Sequence, residues 1–122
     1  MTPTRYSTAA SAAVVVVVLS VVAGLAAAGS SDLCGLAQMA FGDCTAYVAG
    51  GEPAVSPRCC EGLGDIRDLA TTVAEQKVVC TCILAEMLAA GTINSGRAAG
   101  LPAACNVPVS FIPTSPSFNC YQ

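Results

Sequence analysis

The sequence predicts an all-α fold, four helices stapled by disulfides and followed by an irregular C-terminal wrap, and three observations predict it. From Asp32 to Ala98 apolar residues recur every three or four positions, the period of helices that bury one face. Eight cysteines, all placed after an apolar N-terminal run, make an even set in a 122-residue chain, the arithmetic of a disulfide framework whose pairing spacing alone leaves open. Beyond Cys105, Pro108, Pro113 and Pro116 interrupt a run of Val, Phe and Ile. Such a segment forms neither a regular helix nor a central strand, so it must lie against the helices as an extended wrap.

Residues 1–28 carry Arg5, then an almost wholly apolar stretch from Ala12 to Ala28 that closes on Ala26-Ala27-Ala28. That is the pattern of a secretory signal peptide, with cleavage expected after Ala28 or within the next three residues. A membrane anchor is the competing reading; small residues follow the apolar run at once, and no basic stop-transfer flank does. One domain, residues 29–122, then remains.

Asp32 is expected to cap a first helix with Leu36, Ala40, Cys44 and Tyr47 or Val48 on its inner face, ended by Gly50-Gly51 and Pro53. Ser56 and Pro57 suit the N-cap and first position of a second helix, with Cys60, Leu63, Ile66 or Arg67, and Ala70 sharing a face. Thr71-Thr72 opens a third, with Val79, Ile83, Met87 and Ala90 inward and Gly91 as its stop. Asn94 caps a short fourth helix carrying Arg97 and Ala98, which Leu101-Pro102 breaks or kinks.

Charge and chemistry narrow the function. Without Arg5 the domain holds four basic against eight acidic side chains, a balance of −4 that argues against nucleic acid and anionic membranes as partners. There is no histidine. With every cysteine in a disulfide, neither a thiolate zinc site nor a histidine-based dyad can be assembled, so no metal, cofactor or enzymatic activity is expected. Asp65, Asp68, Glu75 and Glu86 have the spacing of solvent-facing helix charges rather than of a catalytic pair. A domain this small buries a modest core, which four disulfides would offset by roughly 2–4 kcal/mol each.

The spacing C-x9-C-x14-CC-x19-CxC-x22-C-x14-C, from Cys34 to Cys120, resembles that of the plant non-specific lipid-transfer proteins of type 1, in the group that also holds 2S albumins and α-amylase/trypsin inhibitors. Flanking residues agree: Cys34-Gly35, Tyr47-Val48 before Gly50-Gly51, Ser56-Pro57 before Cys59-Cys60, Ile93-Asn94, and Leu101-Pro102 before Cys105. Polar Thr81 inside the CxC favours type 1 over type 2. The resemblance implies the pairing Cys34 with Cys82, Cys44 with Cys59, Cys60 with Cys105 and Cys80 with Cys120. It also implies a right-handed four-helix bundle around an apolar tunnel for acyl chains. Candidate wall residues from the helices are Phe41, Val48, Leu63, Ile66, Val79, Ile83 and Met87, and from the tail Val109 and Phe111.

Two positions depart from that pattern. Relatives carry an Arg four residues before the CxC and a Tyr after the seventh cysteine, both holding the lipid head; here Gln76 and Phe111 stand there. Lys77 is adjacent in sequence, but neighbouring helical residues point about 100° apart, so it reads as a solvated surface lysine. The implied function is a secreted, monomeric carrier of acyl lipids, fatty acids and phospholipids, in the plant cell wall or apoplast, with only transient membrane contact. A protease or α-amylase inhibitor or a defence protein on the same scaffold is the alternative. Seed storage is disfavoured, because the domain has only Gln38, Gln76 and Gln122 as glutamines.

Overall fold

The computed structural model describes residues 29–121; the signal peptide expected at residues 1–28 lies outside them. Four main helices make up the fold: α1 (Gly29–Phe41), α2 (Pro57–Leu69), α3 (Val73–Ala90) and α4 (Ser95–Cys105). A 3-10 turn, Gly42–Cys44, and a single α-helical turn, Thr45–Val48, prolong α1. Residues 106–121 follow as an irregular segment, and no strand occurs among the described residues.

Three helices start where local chemistry dictates. The Ser56 hydroxyl accepts from the Cys59 N–H at 3.1 Å, with Pro57 in the first turn of α2. At α3 the Thr72 hydroxyl accepts from the Glu75 N–H at 3.1 Å while the Glu75 carboxylate accepts from the Thr72 N–H at 3.0 Å, a reciprocal capping box. The Asn94 side-chain carbonyl accepts from the Arg97 N–H at 3.1 Å at the start of α4. Gly91, at φ 118°, ends α3 in a conformation that residues with a Cβ rarely adopt.

Four expectations need correction. Asp32 is not a cap: α1 begins earlier, and Asp32 lies in its first turn, where a carboxylate still meets the positive end of the helix dipole. Leu36 is 45% exposed, and the buried stripe is Ala37, Phe41, Cys44 and Val48: the expected Cys44 and Val48 are inside, while Leu36 and Ala40 give way to Ala37 and Phe41, one position on. Ala90 is exposed at the end of α3. Of the break or kink expected at Leu101-Pro102, the break does not occur, because the Pro102 ring removes only the bond to Ala98 and the helix continues for one more turn. The stop comes at Asn106, in the left-handed region at φ 55°: its N–H donates to the Ala103 carbonyl at 3.2 Å and that of Val107 to the Pro102 carbonyl at 2.9 Å, a Schellman motif.

Helix α1 packs against both α2 and α3. The contact with α2 is unusually close, since a Cβ on Gly62 would lie 1.8 Å from the Ala40 carbonyl oxygen. Against α3, the Gln38 amide donates to the Cys82 carbonyl at 3.0 Å, next to the Cys34–Cys82 disulfide. Cys44–Cys59 joins the 3-10 turn to α2, Cys60–Cys105 joins α2 to the end of α4, and Cys80–Cys120 joins the middle of α3 to the tail. No cysteine is free.

Candidate functional site

The interior framed by these staples is apolar: no polar or charged residue belongs to the buried set among the described residues. Phe41, Val48, Leu63, Ile66, Val79, Ile83 and Met87 are each at most 1% exposed, and with Val109 they lie in one cluster. Their burial follows from the three- and four-residue spacing along each helix, and α3 supplies Val79, Ile83 and Met87 as a single stripe. Phe111 is only partly buried and packs against this cluster from the tail.

Phe111 also lines a cleft of about 130 Å³ between the first half of α3 and the tail. Val73, Gln76, Lys77 and Cys80 form its helical side; Ser110, Phe118 and Asn119 face them from the tail, with the Cys80–Cys120 disulfide closing one end. The structure therefore brings together Gln76 and Phe111, 35 positions apart in sequence, in one surface cleft, where Phe111 also packs against the apolar cluster. Lys77 lines the same opening rather than pointing away from it. It is the cleft's one cationic side chain among the described residues and makes no salt bridge there. Gln76 is partly engaged: its amide donates to the Ala70 carbonyl at 3.4 Å, across the α2–α3 corner. Val73, 67% exposed, and Phe118 belong to this opening and were not singled out by the sequence. Phe118 carried a usable signal, an aromatic two residues before a cysteine that pins the tail.

The other cation near the core, Arg97, is committed elsewhere. Its guanidinium donates to the Tyr47 carbonyl at 3.0 Å and to the Glu52 carbonyl, and it stacks over the Tyr47 ring at 4.6 Å. With the Asn94 N–H donating to the Val48 carbonyl at 2.8 Å, it fastens α4 to the loop between α1 and α2.

The four carboxylates do not converge on a reaction site. Glu75 belongs to the α3 capping box, and the bonds it accepts from Thr72 hold its pKa below the ordinary carboxylate value. Asp68 pairs with Arg67 at 3.1 Å on the surface, and Asp65 is exposed. Glu86 corrects the expectation of a solvent-facing charge: its Oε2 is buried without a hydrogen-bond partner, and burial pushes its pKa up to about 7. Among the described residues no group of His, Cys, Asp or Glu could hold a metal ion.

Residues 30–120 match the family described as protease inhibitor/seed storage/LTP family. The chain is 36% identical over 96 residues to non-specific lipid-transfer protein Cw18 of Hordeum vulgare, covering 79% of this chain and 80% of that protein. It is 39% identical over 87 residues to the non-specific lipid-transfer protein of Prunus avium, covering 71% and 73% respectively. Among solved structures, non-specific lipid transfer protein 1 from barley in complex with a lysophosphatidylcholine superposes with a TM-score of 0.64 at 31% identity, over 73% of this chain and 96% of that one.

Proposed function

The chain belongs to the protease inhibitor/seed storage/LTP family, and we propose that it is a lipid-transfer protein that carries acyl lipids with the chain among the buried helical residues and the head at the cleft. Its similarity to proteins named as lipid-transfer proteins, one of them solved with a lysophosphatidylcholine, supports this reading over the inhibitor alternative. The observation that carries it is the wholly apolar cluster reaching the surface at Phe111, beside Lys77.

Size decides where the chain goes. At about 130 Å³ the cleft is smaller than the roughly 300–1,000 Å³ of small-molecule pockets, so it holds a head group and not a long tail. The tail must pass Phe111 and lie along α3, which rises about 15 Å between Lys77 and Met87. Two features let the wall yield there. Residues 106–121 have no ladder of helix or strand hydrogen bonds, and Met87 at the far end is unbranched and re-packs around chains of different shape. Each buried methylene contributes about 0.8 kcal/mol, roughly fourfold in affinity. The head contributes less: Lys77 faces an open cleft, where water screens a carboxylate contact, and no guanidinium is present for a bidentate bond. Secretion through removal of residues 1–28 and a monomeric state complete the proposal.

Displacement of a fluorescent fatty acid tests it. Affinity should rise with each added methylene, while a fatty acid and the alcohol of equal length should differ by no more than about tenfold, or about 1.4 kcal/mol. Lys77→Met should remove what preference for the acid there is. Affinities independent of chain length would contradict the proposal.

A further inference from the structure

A second depression, of about 410 Å³, lies between α1 and α2 and shares no lining residue with the cleft at Phe111. Leu36, Met39 and Ala40 of α1 form one wall, Asp65 and Leu69 of α2 the other. Leu36 and Met39 are 45% and 78% exposed, large apolar side chains held in water on one edge. The groove runs into a hollow that shares Met39, Ala40 and Asp65 and adds Asp43, Glu61 and Arg58. Three carboxylates thus stand against one guanidinium, and none of the four is ion-paired among the described residues. The floor is rigid, because Gly62 there meets the Ala40 carbonyl with no room for a methyl group.

We infer that this groove docks a basic amphipathic helix of a partner protein. The walls are two helical rows, so an inserted helix would present apolar residues at three- and four-residue intervals to Leu36, Met39 and Leu69. From Arg58 to Leu69 helix α2 rises about 16 Å, the length of three turns of such a helix. Charge selects the partner: lysines or arginines flanking the apolar face would meet Asp43, Glu61 and Asp65, whereas a second copy of this acidic chain would bring the same carboxylates against them. An anionic membrane surface is repelled for the same reason.

The probe is a synthetic amphipathic helix of about four turns with leucines on one face and flanking lysines, compared with the same peptide carrying glutamates for lysines. Amide chemical shifts of the protein from residue 29 onward should move around Met39 and Asp65 with the lysine peptide, which should bind at least about tenfold more tightly than the glutamate peptide. Met39→Glu should weaken it by about tenfold or more, and Glu61→Lys with Asp65→Lys should erase the charge preference. Fatty-acid binding should stay within about twofold in each variant, because the cleft at Phe111 is untouched. The inference is overturned by equal binding of both peptides, by shifts confined to Lys77 and Phe111, by self-association that Met39→Glu abolishes, or by adsorption to phosphatidylcholine vesicles that the same substitution abolishes.

Discussion

The cleft at Phe111, lined by polar and apolar side chains together, and the mainly apolar groove at Met39 flank the same core, yet only the cleft has a wall without regular secondary structure. The cleft is closed by residues 106–121, which lack regular hydrogen bonding and are held by the disulfides at Cys105 and Cys120 and by the buried side chains of Val109, Ile112 and Pro113. The groove is backed by two helices whose backbones nearly touch at Gly62 and Ala40. Apolar area is therefore a poor guide to what a depression does. A yielding wall admits a chain to the interior, and a fixed wall offers only a surface.

The strongest way to break this contrast is to free the yielding wall. Replacing Cys80 and Cys120 together by serine opens a link spanning 40 residues and should lower stability by about 2–4 kcal/mol, with faster lipid release because the tail is then tied at one end only. Chemical denaturation and stopped-flow displacement measure the two effects. Gly62→Ala attacks the fixed wall. Its Cβ would meet backbone rather than a flexible side chain, so a loss of about 1–3 kcal/mol is expected in thermal unfolding, with fatty-acid affinity of the folded protein unchanged.

Glu86 lines neither depression and bears on the stability of the fold that carries both. Burial raises its folded pKa to about 7, above the ordinary carboxylate value of 4.5, so the folded state holds a proton that the unfolded state gives up. Stability from this group is fully present below pH 4.5 and is lost as pH rises through about 7. Glu86→Gln should remove that slope and raise stability at pH 8 by on the order of 1–2 kcal/mol, read from denaturation midpoints at pH 4.5 and 8.

Helix starts were legible because their chemistry is local: Ser56, Thr72 and Asn94 each satisfy an N–H within three residues. The inner face of α1 was not. Leu36 and Ala37 are both apolar and adjacent, so the pattern does not say which of them faces α2 and α3. Gly62 in a helix reads as a mild propensity cost until its neighbour across the interface is known. Arg97 gave no sign of its role, since its partners lie 45 and 50 residues away. Glu86 did give one: it sits three residues after Ile83, at the border of the buried stripe. At the candidate site Leu63, Ile66, Val79, Ile83 and Met87 followed from helical period and Phe41 did not, while the meeting of Gln76, Lys77 and Phe111 depended on the path of a tail without period.

The most direct measurement of the account is a set of NMR contacts between the protein and palmitate labelled with carbon-13 at both ends. Contacts from the terminal methyl to Met87 and Ile83, with the carboxyl carbon near Lys77 and Phe111, are the predicted result. Terminal-methyl contacts to Leu36 and Met39 instead would put the chain in the groove and contradict it.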